Sequence, residues 1–486
     1  MRGGARLRAR LLLVLSVAGT TCERAAPRPP ATRGFEATEA FVSASAGPGG
    51  EGSRDRPFAT LQEALSAAPA GAVIRLDAGT YRGPFVVSKP VVLAGSDGTR
   101  LELPTDARGP VIATDGNALE LRDLAIAGST LGIAAARTSL RLKNVVLEGQ
   151  SEMALNAVAA EVDIASGAVR SIASGMSGKG LVLEGGTLSV QGTIFRRAAR
   201  RAIELHGTAA KVSDIDAAGS AMSVVQALEG SDVRVEGGKM AQIGGPALFA
   251  SGSTLRVSGV RISHAEYGIL VHRRSTLELH DAQISDTASA GVGLVQSDGE
   301  VVRTTILRGG VDAAIAVTSA PHPVKLEGNR IGDPGTMGLH ATNATIIATD
   351  NVFSGAVVDK QGDFGDAVFA VECNLTLLRN SFEGNAGSGA TLVRSQAHLV
   401  GNRFSSNGRA GLVLLDRSSA KAQANEFSSN RGPAISVAER SHAMVARNRF
   451  ADSGLAEVDA PCGSGGEIDL RANEFLGPAT ARAECP

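Results

Sequence analysis

Short runs of alternating apolar and polar residues recur along most of the chain at intervals of about 22 residues. Each run begins at glycine or another small residue, as in the segments that start at Gly180 (GLVLE), Gly268 (GILVH) and Gly411 (GLVLL). A second short run follows within each interval, for example 276–279 (TLEL), and a third commonly ends in an aromatic or aliphatic residue. Three strands of period 2 joined by turns form one coil of a parallel β-helix, whereas helical repeats need long runs of 3.6-residue periodicity. The pattern therefore predicts an all-β solenoid, a single-stranded parallel β-helix of about sixteen rungs.

The C-terminal rungs carry a repeated Asn-x-Phe motif. Its asparagines are Asn351, Asn380, Asn402, Asn425, Asn448 and Asn473, and a phenylalanine stands two positions after each of them. Asparagine tolerates the left-handed backbone conformation that a tight turn needs. Because strands of neighbouring rungs lie about 4.8 Å apart, stacked asparagines are able to pass side-chain hydrogen bonds from rung to rung. We expect the phenylalanines to stack in the core beneath this ladder.

A short helix is predicted before the first rung. Thr60 and Glu63 have the spacing of a capping box, and apolar residues then recur with helical periodicity from Leu61 to Ala68. The open end of a β-helix exposes strand edges and apolar core. We expect this helix to cover that end.

The composition explains how such a coil is filled and limits its partners. The 486 residues include 59 glycines, no tryptophan and only 3% aromatic residues, so the core must consist mainly of Val, Ile, Leu and Ala. Lys and Arg number 48 against 49 Asp and Glu, which gives a net charge of −1. This balance offers no electrostatic basis for binding nucleic acid or an anionic membrane. We expect a monomer with no nucleic-acid partner.

The N-terminal region has the features of an export signal. Residues 1–10 carry four arginines and no acid, and an apolar run at 11–18 (LLLVLSVA) follows, which is too short to span a bilayer. The cysteine after this run, Cys22, resembles that of a bacterial lipoprotein box, which implies a lipid anchor in a membrane. Gly19 and Thr21 depart from that pattern, and plain secretion is the alternative. We expect an exported protein, either an outer-membrane or cell-surface lipoprotein or a periplasmic or secreted protein.

These features predict five segments along the chain. They are a signal peptide (1–22), a flexible tether (23–40), an N-terminal cap with the first rung (41–89), the β-helix (90–450) and a last rung with a C-terminal cap (451–486). Export implies an oxidising compartment. Cys462 and Cys485 bracket the last strand-like segment, and we expect a disulfide between them, although sequence alone does not fix pairing. Cys373 is then left as a free thiol in a turn.

Residues 41–97, which contain the stretch RPFATLQEALSAAPAG, resemble the N-terminal segment of right-handed parallel β-helix proteins of the pectate-lyase-like superfamily. With the rungs included, the resemblance extends over about 41–475 and implies a right-handed coil. Many members of this superfamily act on acidic polysaccharides as lyases, hydrolases or esterases. The chain has no tryptophan, no adjacent pair of aspartates and no Gly-His-Gly, so the catalytic motifs of the best-known members are missing. Fold alone does not confer function.

Three rungs are longer than the others, and their additional residues fall in the same turn. One insert lies between Val169 and Gly180, a second spans 332–337, and the third spans 354–366. The last two belong to adjacent rungs. We expect them to stack side by side and to form the wall of a groove.

These two inserts carry the first group of candidate site residues. Asp333, Asp359, Asp363 and Asp366 supply carboxylate oxygens, the ligands that Ca²⁺ prefers, so calcium is the one cofactor that the sequence suggests. Lys360, if deprotonated, would abstract the proton alpha to a uronate carboxyl, the step that a lyase requires. The alternative interpretation is a polar, solvated loop.

A stripe of polar residues is the second candidate. His264 and Tyr267 belong to one turn, and His272 and Arg273 lie just beyond it. Arg394 occupies a similar position after the first strand of its rung. Such a stripe would contact an anionic glycan, and the alternative is the solvated edge of a solenoid.

The sequence thus favours an exported β-helix protein of the cell envelope or surface that recognises polysaccharide without catalysis. One alternative is a polysaccharide lyase, calcium-dependent, or a glycoside hydrolase, either of which would act on acidic glycans near 354–366. The other is a structural or adhesive spacer.

Overall fold

Each turn of the chain contributes three short strands, and each strand pairs in parallel with the equivalent strands of the preceding and following turns. The structure, a computed structural model, describes residues 38–172, 178–198, 200–454, 456–461 and 463–476. The chain completes about 18 turns of a right-handed parallel β-helix, as the repeat predicted. The number of turns is slightly larger than the sixteen rungs predicted.

The strands line up in three parallel sheets that form the sides of the coil. The first sheet contains Glu39–Val42, Val73–Leu76, Val91–Ala94, Leu119–Ala127, Ser139–Glu148, Glu161–Ile172, Thr187–Gln191, Ala209–Ser213, Asp232–Glu236, Thr254–Ser258, Thr276–His280, Asp298–Val302, Val324–Glu327, Thr345–Thr349, Asn374–Leu378, Gln396–Val400, Ser419–Gln423, His442–Ala446 and Glu467–Arg471. The second sheet contains Gly79–Arg82, Thr99–Glu102, Ile194–Ala198, Asp216–Ala218, Gln283–Thr287, Thr305–Gly309, Arg330–Gly332, Val352–Ser354, Ser381–Glu383, Arg403–Ser405, Glu426–Ser428, Arg449–Ala451 and Glu474–Phe475. The third sheet contains Phe85–Val87, Pro110–Asp115, Leu131–Ala136, Met153–Val158, Lys179–Glu184, Arg201–His206, Ser223–Leu228, Ala290–Val295, Ala313–Thr318, Leu339–Thr342, Val368–Val371, Ala390–Val393, Leu412–Leu415, Ile435–Val437 and Val458–Asp459.

Some strands continue around a corner into the next sheet. Leu119–Ala127, Ser139–Glu148 and Glu161–Ile172 run from the first sheet into the second. Lys239–Ser251 and Arg261–His272 run from the second sheet into the third. Alternate residues of every sheet face inward, and they fill the coil with stacked aliphatic side chains, as the low aromatic content predicted.

The asparagine ladder forms along the corner between the first and second sheets. Each ladder asparagine donates its side-chain amide to the Oδ1 of the next, at 2.9–3.1 Å, in the series Asn329, Asn351, Asn380, Asn402, Asn425, Asn448 and Asn473. The prediction that the asparagines themselves adopt the left-handed conformation is wrong. Positive φ occurs one residue earlier, at Asp350 (56°) and Arg379 (52°) for example, because the asparagine side chain must turn inward to reach the ladder.

The phenylalanines of the motif stack in the core below the ladder. The rings of Phe353, Phe382, Phe404, Phe427, Phe450 and Phe475 follow one another with centroid separations of 4.7–5.5 Å and interplanar angles of 5–25°. All but Phe475, which lies in the last described turn, are fully buried. The prediction of a stacked aromatic core is confirmed.

Cys373 occupies a ladder of hydroxyl side chains at the corner between the third and first sheets. Its backbone N–H donates to Ser395 Oγ at 3.0 Å, and Ser395 and Ser418 repeat this bond to the serine of the next turn. Cys373 is a free thiol with 2% of its surface exposed, and burial raises the pKa of the thiol. It is the free thiol in a turn that was expected.

The described helix is Leu61–Ala67, and it begins with the predicted capping box. Thr60 Oγ1 accepts the N–H of Glu63 at 3.2 Å, and the Glu63 carboxylate accepts the N–H of Thr60 at 3.0 Å. Leu61 and Leu65 are buried in the core at this end of the coil. In the described part of the chain, no helix is both long and apolar enough to cross a membrane. The signal segment, Cys22, Cys462 and Cys485 lie outside the described residues.

Candidate functional site

The insert at 354–366 forms a small hairpin beside the third sheet. Val358 and Phe364 form an antiparallel bridge, and the N–H of Asp359 donates to Asp363 O at 2.9 Å. The N–H of Gly365 donates to Thr336 O of the neighbouring insert at 3.0 Å, so the two inserts are adjacent, as predicted.

An open groove of about 690 Å³ runs between this hairpin and the outer face of the third sheet. Its floor is formed by outward-facing residues of successive strands, among them Phe369, Thr391, Val413 and Ser436, which are paired in register. The ring of Phe364 in the hairpin meets that of Phe369 edge to face, with centroids 5.8 Å apart. The groove therefore combines a wall made by the insert with a partly apolar floor.

Two arginines line the side of the groove formed by the turns between the second and third sheets. Arg409 and Arg431 belong to consecutive turns, at positions one residue out of register with each other, and both side chains are exposed. Arg409 donates from Nη2 to the carbonyl oxygen of Gly362 in the hairpin at 2.7 Å. Among the residues that the structure describes, neither arginine has a carboxylate within ion-pair distance. The groove thus presents two exposed cationic groups, and its lining also includes the carboxyl groups of Asp363 and Asp366.

Asp366 lies at the base of the hairpin and also lines the groove, although only 4% of its surface is exposed. Its Oδ1 accepts the backbone N–H of Ser388 at 2.5 Å. Burial raises the pKa of Asp366, and hydrogen bonds from Ser388 and Thr391 offset part of this effect. Because its pKa is raised, the Asp366 carboxyl is protonated at higher pH than an exposed aspartate is.

The four aspartates predicted to bind calcium do not form a metal site. Within the described ranges, no three His, Cys, Asp or Glu side chains are arranged to hold a metal ion. Asp359 Oδ1 instead accepts the N–H groups of Gln361 and Asp363, at 2.9 and 2.8 Å, and so closes the hairpin turn. Asp366 is buried, and Asp333 lies at the corner between the second and third sheets with φ of 49°. Lys360 is at the exposed tip of the hairpin.

The predicted glycan-binding residues do not form a single stripe. Tyr267 and His272 lie on the outer face of the third sheet, where the ring of His272 is 4.9 Å from that of Phe249. Burial, and secondarily the charge of Arg273, lowers the pKa of His272. His264 lies in the turn that precedes this sheet and has φ of 52°.

Arg273 and Arg394 belong to the turn that follows the third sheet. Arg273 and its neighbour Arg274 line a shallow depression of about 430 Å³. Arg394 forms ion pairs with Glu372 at 3.0 Å and Asp416 at 2.7 Å. Carboxylates of the two adjacent turns thus flank the exposed Arg394 side chain.

A charged cluster that was not predicted, which we call the Glu204 cluster, lies on the outer face of the third sheet. Glu204 accepts hydrogen bonds from Lys179 Nζ at 2.8 Å, Arg201 Nη1 at 2.8 Å and His206 Nε2 at 3.0 Å. Lys179 and Arg201 directly precede Gly180 and Ala202, which begin consecutive rungs. Alignment of the rungs alone would have placed these two cations next to each other.

The Glu204 carboxylate is firmly held in its ionised form. Only 5% of its side chain is exposed, and burial by itself would raise its pKa. The hydrogen bonds from His206 and Lys179 and the charges of Lys179 and Arg201 outweigh burial and lower the pKa of Glu204 to about 2. Lys179 and Arg201 thus share the carboxylate of Glu204, and His206 lies between Glu204 and Glu229, whose Oε2 is 3.4 Å from Nδ1 of His206.

Comparison with protein families and known structures agrees with this architecture. A family profile described as the right-handed β-helix region matches residues 165–306 and 296–450, which together make up more than half of the chain. The chain belongs to this right-handed β-helix family. No curated protein sequence matches it.

Solved structures with a similar coil include several enzymes. The periplasmic alginate epimerase AlgG is 13% identical, with a TM-score of 0.42, over 55% of this chain and 77% of the epimerase. The A-module of the mannuronan C-5 epimerase AlgE4 from Azotobacter vinelandii is 14% identical, with a TM-score of 0.30, over 91% of this chain and all of the module. The catalytic unit of a GH87 α-1,3-glucanase from Streptomyces thermodiastaticus is 15% identical, with a TM-score of 0.32, over 90% of this chain and 69% of that unit. At these scores the similarities do not bear on function.

Proposed function

We propose that the protein recognises acidic polysaccharide without catalysis, through the groove beside the 354–366 hairpin. The observation that carries the proposal is the pair Arg409 and Arg431 beside an open, partly aromatic floor. Guanidinium groups bind carboxylates in a planar, bidentate manner, which suits the carboxylate of a uronate sugar. Phe364 and Phe369 offer apolar surface to the carbon-bound faces of a sugar ring. Because the groove is open, a polymer is able to pass through it.

Binding of a polyuronate to the purified protein tests this proposal, with a neutral polysaccharide of similar length as the comparison ligand. We expect the double variant Arg409→Gln, Arg431→Gln to bind the polyuronate at least about tenfold more weakly, since each loses a charge-assisted contact. Arg403→Gln is the matched control, because Arg403 is an exposed arginine of the second sheet outside the groove. Equal binding of the neutral and acidic polymers, or equal losses in the groove and control variants, would refute the proposal.

Hydrolysis is the second candidate function, and Asp366 is the observation that favours it. A glycosidase needs one carboxylic acid that protonates the leaving oxygen, and burial raises the pKa of Asp366 in the direction that this role requires. Incubation with a panel of polyuronates distinguishes the functions. New reducing ends that disappear in Asp366→Asn support a hydrolase, and unsaturated products that absorb in the ultraviolet support a lyase. Binding with neither product supports recognition alone, and neither binding nor turnover supports a spacer.

We further propose that the protein is exported and acts as a monomer. The support is the sequence of the N-terminal region, in which a basic segment, an apolar run and Cys22 follow one another. A lipid anchor on Cys22 and plain secretion differ in the mass of the mature N-terminus. Mass spectrometry of the protein from membrane and soluble fractions, with Cys22→Ala as the comparison, decides between them, and light scattering reports the oligomeric state.

A further inference from the structure

We propose that the Glu204 cluster is a second subsite for an acidic sugar, in register with the groove, so that one polysaccharide chain spans both. This inference rests on the proposed function and adds a length requirement to it. Its basis is the charge of the cluster and its position on the same sheet face.

The cluster presents two partly exposed cations to a ligand. Lys179 and Arg201, with 29% and 21% of their side chains exposed, share the single carboxylate of Glu204, which is 5% exposed. The fixed carboxylate holds both cations in place, so little side-chain entropy is lost when they bind a second carboxylate. An incoming uronate carboxylate therefore meets two positioned cations.

The same cluster has hydrogen-bonding capacity that the protein leaves unused. Arg201 Nε and Gln226 Oε1 are buried and have no hydrogen-bond partner in the described part of the chain. Gln226 is the register partner of Glu204 in the next turn, so both atoms belong to the same patch. Buried polar groups without a partner are uncommon in proteins and point to a missing partner.

The cluster and the groove lie on one row of the third sheet. Glu204 and Phe369 are connected by a row of outward-facing residues, one in each successive turn. The row takes seven steps from strand to strand. At about 4.8 Å per step, the two sites are about 34 Å apart along the coil axis. Gly293 and Ala316 occupy the middle of this row, and Phe249, Leu270 and His340 are larger outward-facing residues of the row that a polymer lying along it would contact.

Two sites on one rigid face predict a dependence of affinity on ligand length. A chain shorter than about 34 Å engages one site at a time, whereas a longer chain binds the second site at a high effective concentration. We therefore expect the affinity for acidic oligosaccharides to rise steeply, by at least about tenfold, once their extended length exceeds this distance.

A series of homogeneous uronate oligosaccharides with extended lengths on both sides of this distance tests the proposal by calorimetry. We expect Lys179→Gln to abolish the rise for long oligosaccharides and to leave the binding of short ones at the groove unchanged. Lys211→Gln is the matched control, since Lys211 is an ion-paired lysine on the first sheet, bonded to Glu236 at 2.9 Å. Thermal unfolding of each variant shows whether the fold is retained, and Arg201→Gln provides a second test of the cluster.

The outcomes separate this inference from the function on which it rests. A steep rise in wild-type protein that is lost in Lys179→Gln and Arg201→Gln supports the second subsite. Affinity that grows smoothly with length, or a rise that persists in both variants, overturns it while recognition at the groove stands. If no acidic oligosaccharide of any length binds, the proposed function itself fails.

Discussion

The side-chain oxygen of Asn402 accepts two hydrogen bonds from Asn380, one from the backbone N–H at 2.8 Å and one from the side-chain amide at 3.1 Å. The Asn402 amide in turn donates to Leu377 O at 2.7 Å and to Asn425 Oδ1 at 2.9 Å. Each asparagine of the ladder thus satisfies buried groups of two neighbouring turns. The ladder ties adjacent coils together at a corner where strand pairing is interrupted.

We expect Asn402→Ala to lower the free energy of unfolding by about 2–4 kcal/mol, because it leaves buried donors of Asn380 and the carbonyl of Leu377 without partners. Chemical denaturation measures the loss. Asn374→Ala is the control, since Asn374 has an exposed side chain on the first sheet. An equal loss of unfolding free energy in the two variants would show that an asparagine in the ladder stabilises the fold no more than a surface asparagine does.

The phenylalanine stack makes a second prediction about stability. Phe404 is fully buried between two rings at 4.7 Å, whereas Phe475 contacts one ring at 5.0 Å and is 37% exposed. We expect Phe404→Ala to cost about 3–5 kcal/mol through lost burial and a cavity. Phe475→Ala should cost much less by the same denaturation measurement. A comparable loss at both positions would contradict a stack whose centre carries most of the packing energy.

The fold was predictable because each of its local signals is repeated in many turns. One Asn-x-Phe motif has little weight, but six at a spacing of about 22 residues require a structure in which equivalent positions lie above one another. The capping box at Thr60 was predictable for a different reason, since both of its hydrogen bonds are local in sequence. The predicted coil agrees with the structure because its motifs are repeated, and the predicted helix start agrees because its hydrogen bonds are local in sequence.

The site was less predictable because its residues are close in space through tertiary structure. Arg409 reaches Gly362 across 47 residues, and no local pattern specifies that contact. Asp359 and Asp363 are close in sequence and suggested a metal site, but the hairpin uses the Asp359 carboxylate to close its own turn. Spacing alone does not reveal whether a carboxylate is already bonded to backbone N–H groups.

The ionised Glu204 predicts a dependence of stability on pH. Its pKa is lowered in the folded protein to about 2 from an ordinary value of 4.5. A depressed folded pKa contributes stability that is fully present above the unfolded value and is lost as the pH falls through the folded one. We expect Glu204 to contribute up to about 3 kcal/mol at neutral pH and to lose that contribution between the two pKa values.

Urea unfolding of wild type and Glu204→Gln across this pH range measures that contribution. The free energies of unfolding of the two proteins should differ at neutral pH. They should converge as the pH approaches 2, because the wild-type carboxyl then becomes protonated. Glu161→Gln, an exposed carboxylate of the first sheet, serves as the control and should differ little from wild type at any pH. A difference in the free energy of unfolding between wild type and Glu204→Gln that stays constant over the whole pH range would contradict the lowered pKa of Glu204.

Cys373 makes a prediction about substitution within the hydroxyl ladder. Its Sγ donates to Val371 O at 3.2 Å, and Ser395 Oγ makes the equivalent bond to Val393 O at 2.8 Å in the next turn. We expect Cys373→Ser to change the free energy of unfolding by less than about 1 kcal/mol, since serine already fills this position elsewhere. Cys373→Leu should cost about 1–3 kcal/mol through overpacking. Similar stabilities of these two variants would show that the corner is not closely packed.

The bond from Arg409 to Gly362 O predicts how firmly the hairpin is held against the groove. The exposed tip of the hairpin contains Lys360, which is a cleavage site for trypsin. Because a hairpin that opens more often is cleaved faster, we expect Arg409→Gln to increase cleavage at Lys360 by several-fold, as loss of one hydrogen bond of about 1 kcal/mol implies. Arg431→Gln removes the same charge from the same groove without a bond to the hairpin, so its cleavage rate should match that of wild type. Peptide mapping by mass spectrometry identifies the site, and equal rates in the two variants would show that Arg409 does not restrain the hairpin.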